Sequence, residues 1–229
     1  MRIVEIFHSR QGEGRWTGMS SVFVRVAGCN LACGFCDTPY AGWNGEPGTE
    51  MDPEEIVGRA LIFDCPHVVL TGGEPMLYAE LVPLARLLKE RRKTITIETA
   101  GTLDRDVCCD LMSISPKLAN AFPDRNVSER IRRRHEANRF RPETVRFLIQ
   151  RYDYQLKFVV DCPADFAEIE SYLGLIPEIR RENVFLMPQG IQPEELREKQ
   201  AWIVPYCEQN GYAFSPRMQI EWYGNVRKK

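Results

Sequence analysis

His67-Val68-Val69-Leu70-Thr71-Gly72-Gly73-Glu74-Pro75 is a short apolar run that stops at a glycine pair, an acid and a proline. A few apolar residues bounded by turn formers read as a buried strand. The same grammar recurs in both directions. Residues 20–26 alternate apolar and polar side chains as a strand does, and Met1-Arg2-Ile3-Val4-Glu5-Ile6-Phe7 starts the chain in the same way. Asp52-Pro53-Glu54-Glu55 combines a capping acid, a first-turn proline and an acid three residues on, so a helix is expected from there to about residue 63. Further strands are expected at 94–97, 111–114, 155–160 and 184–186. Further helices are expected at 81–92, with Pro83 in the first turn, at 163–173, and at 193–210, where Gly211 closes the last. This alternation predicts an α/β chain with a parallel sheet or a partial barrel.

Unusual residues follow the expected strands: Thr71-Gly72-Gly73-Glu74-Pro75, Glu98-Thr99-Ala100-Gly101-Thr102, Ser115-Pro116-Lys117, the run from Lys157 to Val160, and Met187-Pro188-Gln189-Gly190. In parallel βα architectures the carboxyl ends of the strands share one face, and that face carries the site. The five stretches are therefore expected around one mouth.

A third pattern precedes them. Cys29-Asn30-Leu31-Ala32-Cys33-Gly34-Phe35-Cys36 has the spacing C-x3-C-x2-C. Three thiolates so close together hold a metal. They suit either a zinc ion with a distant fourth ligand or a cubane iron–sulfur cluster that leaves one iron without a protein ligand. An open coordination position is where chemistry can occur. The other five cysteines, Cys65, Cys108, Cys109, Cys162 and Cys207, read as buried or incidental thiols, and His8, His67 and His135 show no metal-ligand spacing.

The 229 residues, 44% of them hydrophobic, suit one domain over 1–229 with a full core. A net charge of −2 argues against nucleic acid as a partner. No apolar run is long enough to span a bilayer and no signal-peptide pattern is seen, so no membrane and a cytoplasmic, reducing location are expected. One segment breaks the rhythm. Residues 125–151 hold nine arginines and three glutamates, within an insertion at about 120–152. It reads as a solvated helical insertion or as a basic patch for a partner or an anionic ligand. Arg227-Lys228-Lys229 forms a small basic tail.

The pairing of Cys29-x3-Cys33-x2-Cys36 with Gly72-Gly73-Glu74-Pro75 resembles the radical S-adenosylmethionine (SAM) superfamily. More narrowly, Gln11-Gly12-Glu13-Gly14, Phe23-x-Arg25, Gly28-Cys29-Asn30, Cys36-Asp37-Thr38, Thr71-Gly72-Gly73-Glu74-Pro75, Glu98-Thr99 and Ser115-Pro116-Lys117 resemble the 7-carboxy-7-deazaguanine synthase family. The likeness covers most of the chain except residues 119–152. It implies a modified, incomplete (βα)6-type barrel and a homodimer. It also implies a [4Fe–4S] cluster, SAM and Mg2+ as cofactors, and an electron donor of flavodoxin or ferredoxin type. The implied reaction converts 6-carboxy-5,6,7,8-tetrahydropterin to 7-carboxy-7-deazaguanine with loss of ammonia, on the route to queuosine and other deazapurines.

The resemblance also distributes roles. Cys29, Cys33 and Cys36 would hold the cluster, and Thr38 would contact Mg2+, which keeps waters and takes further ligands from the substrate. SAM would be met by Phe35, Asp37, Gly73, Glu74, Ser115, Pro116 and Lys117, with Glu98 and Gln189 as further candidates. Within that set, Glu74 would accept from the SAM ammonium. The pterin would be met by Arg10, Gln11, Gly12, Glu13 and Thr71, because a carboxylate or amide can pair with an amino group and a ring N–H side by side. Arg25 would fork onto the substrate carboxylate. Two other readings stand beside this one. A glycyl-radical-enzyme activase would use the basic segment to dock a large protein. A zinc-stabilised module would use it on RNA, which the net acidity disfavours.

Overall fold

The computed structural model describes residues 1–228. Lys229, the last residue of the expected basic tail, lies outside the described residues. The strands are β1 (Arg2–Arg10), β2 (Ser20–Val26), β3 (Thr49–Glu50), β4 (His67–Gly72), β5 (Thr94–Thr99), β6 (Leu111–Ile114), β7 (Tyr154–Val160), β8 (Val184–Pro188) and β9 (Ala213–Phe214). They form one sheet in the order β3-β1-β2-β4-β5-β6-β7-β8-β9. β1 runs antiparallel to β2 and β3, and every pairing from β2 to β9 is parallel. The helices are α1 (Pro53–Leu61), α2 (Leu81–Glu90), α3 (Glu129–Arg139), α4 (Pro142–Arg151), α5 (Asp165–Gly174), α6 (Pro193–Asn210) and α7 (Met218–Tyr223). This is the mostly parallel α/β sheet expected of an open, incomplete barrel.

Local chemistry explains the boundaries. Asp52 Oδ1 accepts from Glu55 N at 2.8 Å, capping α1. Gly211 ends α6 at φ 72°, a conformation glycine adopts without strain. The helix expected from Pro163 starts two residues later. Asp165 turns its carboxylate back onto the amides of Asp161 and Cys162, at 2.7 and 3.2 Å, and so holds those residues in a turn.

The register separates two faces. Val22, Val24, Val68, Leu70, Ile95, Ile97, Met112, Ile114, Leu156 and Phe158 share one face, and all belong to the buried apolar core against the helices. The opposite face carries a polar row at one level. Glu5 lies beside Arg25, Arg25 beside Thr71, Glu98 beside Ser113, and Ser113 beside Gln155. Thr71 Oγ1 donates to Glu98 Oε2 at 2.8 Å and joins the two halves of the row. Below it, towards the amino ends of the parallel strands, this face is filled. His67 Nδ1 lies 2.7 Å from Ser21 Oγ, its Nε2 lies 2.8 Å from Thr96 Oγ1, and Trp16 packs edge-on against the ring.

Candidate active site

A cavity of about 280 Å³ opens over the polar row. Its walls take Thr71, Gly72 and Gly73 from the end of β4, Glu98 and Ala100 from β5, and Ser115 and Lys117 from after β6. Lys157 and Val159 come from β7, and Met187 and Gln189 from β8 and just beyond. All five post-strand stretches therefore contribute to one mouth, as parallel strands require.

Cys29, Cys33 and Cys36 border one side of this cavity, together with Phe35, Asp37 and Thr38. All three thiols are free. Burial pushes the Cys29 thiol up to about 12, and Glu74 adds to the effect. Burial likewise takes Cys33 up to about 11, against the pull of the Lys117 cation, and raises Cys36. Metal binding takes the thiolate form of each cysteine, so it is coupled to release of the protons that burial favours. Three cysteine thiols lining one cavity wall are a donor set that fits a four-iron cluster, in which each thiolate takes a different iron and the fourth iron is left open.

The glycine pair has a structural cause. A Cβ on Gly73 would lie 1.9 Å from Gly28 O and 2.6 Å from Ala41 O, so the turn after β4 must be bare to pack against the start of the cysteine loop. Glu74 N donates to Gly28 O at 2.9 Å and fixes that approach. Glu74 itself corrects an expectation. Its side chain is fully buried beneath the cavity wall and does not border the cavity. Oε1 accepts from Met76 N at 3.0 Å and Thr99 Oγ1 at 2.8 Å, and Oε2 accepts from Ala100 N at 2.8 Å. With its oxygens so engaged, it anchors the β4 and β5 turns to each other. Pro116 likewise stays off the cavity lining. Lys117 does border it, and its Nζ donates to Ser115 O and Oγ at 2.8 and 2.7 Å.

Arg10, Gln11, Gly12 and Glu13 line the same cavity, as do Arg25 and Thr71. Glu13 Oε2 accepts from Lys157 Nζ at 2.7 Å, and Oε1 accepts from Gln219 Nε2 at 2.7 Å with Arg217 Nε at 3.4 Å. Burial alone would raise the Glu13 carboxyl, but Lys157 and Arg217 outweigh it and hold the group at about 2. Glu98 stands beside this set. Its Oε1 accepts from Gln11 Nε2 at 3.1 Å, and Lys157 Nζ lies 4.0 Å from the same oxygen. The structure thus groups Glu98 with Gln11, Glu13 and Thr71. Arg25 Nε donates to Glu5 Oε1 at 2.8 Å. Tyr40 and Arg227 also donate to Glu5, at 3.1 and 2.8 Å, which fixes the guanidinium from behind. Among the described residues its two terminal nitrogens donate to no protein group, so an intact fork faces the cavity.

Lys157 was expected at the mouth but given no role, and Arg217 and Gln219 escaped sequence reasoning as site residues. Arg217 pairs with Asp37, approaches Glu13 and donates to Gly190 O, tying the cysteine loop, the N-terminal loop and the end of β8 together. Met218 N donates to Gly12 O at 3.0 Å, and a Cβ on Gly12 would strike Gln219. The glycine at position 12 is the one signal that could have announced this crossing.

The comparisons with known proteins agree with this geometry. The sequence model of the Radical SAM superfamily matches residues 23–146. A 7-carboxy-7-deazaguanine synthase of Rhodopirellula baltica is 44% identical over 226 residues, covering 98% of this chain and 87% of its own. Its counterpart in Halobacterium salinarum is 40% identical over 228 residues, covering 95% and 88%. The crystal structure of QueE from Escherichia coli superposes with a TM-score of 0.63 at 23% identity, covering 94% of this chain and 92% of that one, a likeness of fold. The chain belongs to the radical SAM superfamily and, within it, to the 7-carboxy-7-deazaguanine synthase family, enzymes that work with a [4Fe–4S] cluster and SAM.

Proposed function

We propose that this enzyme converts 6-carboxy-5,6,7,8-tetrahydropterin to 7-carboxy-7-deazaguanine with loss of ammonia, acting as one catalytic unit over the whole chain. The observation that carries the reading is the meeting of the three free thiols and the Glu13–Glu98–Arg25 wall in one cavity. Cys29, Cys33 and Cys36 would hold the cluster, which with bound SAM supplies the radical that starts the reaction. The protein's own work is placement. Gly73, Ser115, Lys117, Phe35, Asp37 and Gln189 border the part of the cavity that SAM would fill, with Lys117 as a cation for its carboxylate.

Glu98 and Glu13 offer acceptors to the amino and ring N–H edge of the pterin. Glu13 is ionised at any physiological pH because two cations hold it so. Gln11 and Thr71 orient Glu98 by donating to its two oxygens, which leaves the remaining lone pairs aimed at a ligand. Arg10 and Gly12 border the same edge. The free fork of Arg25 suits the substrate carboxylate, and Glu5 prevents its rotation. Thr38 contributes one hydroxyl beside Cys36, and a Mg2+ there would be completed by substrate oxygens and water. The reading includes a homodimer, by family, and a reducing cytoplasmic setting, which suits eight free thiols. Among the described residues, no helix is long and apolar enough to cross a membrane.

The test is anaerobic reconstitution, reduction with dithionite, and addition of SAM and the tetrahydropterin. Formation of 5′-deoxyadenosine together with carboxydeazaguanine supports the reading. SAM cleavage without a deazaguanine product would move the enzyme to another radical SAM reaction, such as activase chemistry.

A further inference from the structure

The chemistry above makes no use of the arginine-rich stretch. Two contacts fasten it to the loop that carries the three cysteines. Ala32 N donates to Nδ1 of His135 at 3.1 Å, and His135 is a fully buried residue of α3. Gly34 N donates to Ala121 O at 3.3 Å, and the chain at Phe122 passes so close that a Cβ on Gly34 would lie 2.6 Å from its carbonyl oxygen. The segment from Ala121 into α3 therefore forms the outer layer of the cysteine loop. The inner side of that loop is the cavity, which SAM and substrate would fill. With the cavity side taken by SAM and substrate, a macromolecule that must approach the cluster during turnover would come from the outer side, where Gly34 and Phe122 are exposed.

The outer side has a distinct chemistry. The Phe122 ring is about half exposed. Arg125, Arg130 and Arg134 are exposed and make no ion pair among the described residues. Other arginines of the helix are occupied: Arg133 by Glu129, Arg139 by Glu136, and Arg132 by backbone carbonyls. Asp124 is an acid on the same edge. An exposed aromatic followed within twelve residues of the same segment by three exposed, unpaired arginines offers an apolar anchor and a positive surface, and that charge calls for an acidic partner.

We propose that Phe122, Arg125 and the free arginines Arg130 and Arg134 of α3 are the docking surface for an acidic one-electron carrier protein that reduces the cluster. The inference rests on the radical SAM reading. One electron leaves the carrier's reduced cofactor, which is oxidised by one equivalent, and the cluster is reduced by the same amount. No bond forms or breaks. The arginines concentrate and orient the carrier, and Phe122 brings it against the cysteine loop at Gly34.

The test compares two reductants on the reconstituted holoenzyme, following the visible absorbance of the cluster by stopped flow. The probes are photoreduced flavodoxin, an acidic flavoprotein, and dithionite, a small inorganic reductant. In the triple variant Arg125→Glu, Arg130→Glu, Arg134→Glu, reduction by flavodoxin at low salt is expected to slow by about tenfold or more. The wild-type rate should fall as salt rises, and the variant's should not. Reduction by dithionite, and the 5′-deoxyadenosine it supports, should be the same in both. Phe122→Ala should weaken flavodoxin binding without the change in salt dependence. A flavodoxin rate unchanged in the triple variant overturns the proposal. So does loss of tRNA binding in that variant with flavodoxin reduction intact, which would make the surface an RNA site. A wild-type holoenzyme that makes no 5′-deoxyadenosine with dithionite removes the radical SAM reading and this inference together. Dithionite-driven turnover together with a flavodoxin reduction rate that depends on neither salt nor the three arginines removes the inference alone.

Discussion

Glu13 and Lys157 should be strongly coupled. Their side chains are 15% and 6% exposed and meet at 2.7 Å. Removing one member of a buried pair costs about 3–5 kcal/mol, most of it the stranded partner's desolvation. Here neither stranded group is entirely alone. Lys157 keeps Glu98 at 4.0 Å, while Glu13 keeps Gln219 and Arg217. The expected costs are therefore at or just below the lower end of that range, ~3 kcal/mol for Glu13→Gln and ~2 kcal/mol for Lys157→Met, whose stranded carboxylate keeps two partners. For a chain of this length, ~3 kcal/mol lowers Tm by about 6–12 °C. The double variant leaves no stranded charge between these two positions. It should cost less than the sum of the singles by at least ~1.5 kcal/mol. Urea unfolding of the four proteins at pH 7, under anaerobic conditions and without metal, measures the cycle. The acid limb gives a second check. A carboxyl held at about 2 in the fold and near 4.5 when unfolded contributes stability that is complete above about pH 4.5 and is lost as pH falls towards 2. Glu13→Gln should flatten that limb. Additivity within ~0.5 kcal/mol would refute the ion pair as the organiser of this wall.

Three further expectations follow from single contacts. Gly73→Ala drives a methyl into the Gly28 and Ala41 carbonyls and should destabilise by about 3 kcal/mol or more, whereas Gly58→Ala in α1 meets open space and should stabilise by roughly 0.5–1 kcal/mol; thermal melts separate the two. Burial holds His67 down at about 4, so the fold keeps it neutral; its stability contribution is complete above about pH 6.5, declines as pH falls to about 4 by about 3 kcal/mol, and that decline should vanish in His67→Gln, as pH-dependent urea midpoints would reveal. Thr38→Ala should lower turnover with Mg2+ and blunt the metal titration, and an identical titration curve would count against Thr38 as a metal contact.

The fold was legible where local chemistry decides it. The Asp52 cap, the Gly211 stop and the apolar runs before each polar stretch are local signals, and each marks a real boundary. The shared mouth followed from one topological rule about parallel strands. The site was less legible where its causes are non-local. Glu74 looked like a ligand group from its position after two glycines, but its carboxylate is consumed by amides of the next turn and by Thr99, which a one-dimensional pattern does not display. Glu98 was a further SAM candidate by resemblance; its hydrogen bonds from Thr71 and Gln11 place it beside the Gln11 stretch. Arg217 and Gln219 come from the far end of the chain, and no periodicity links them to Glu13 two hundred residues away. Buried ion networks are built from such closures, and sequence spacing reports only the short ones.

The central claim is that one cavity holds the cluster, SAM and a pterin against named walls. Diffraction from crystals of the reconstituted enzyme with SAM and the tetrahydropterin, recorded at the iron edge, tests it most directly. The account predicts one four-iron anomalous peak within bonding reach of Cys29, Cys33 and Cys36, with the pterin edge against Glu13 and Glu98 and its carboxylate on the fork of Arg25. A single metal ion at the three thiols, or a pterin bound away from that wall, would contradict it.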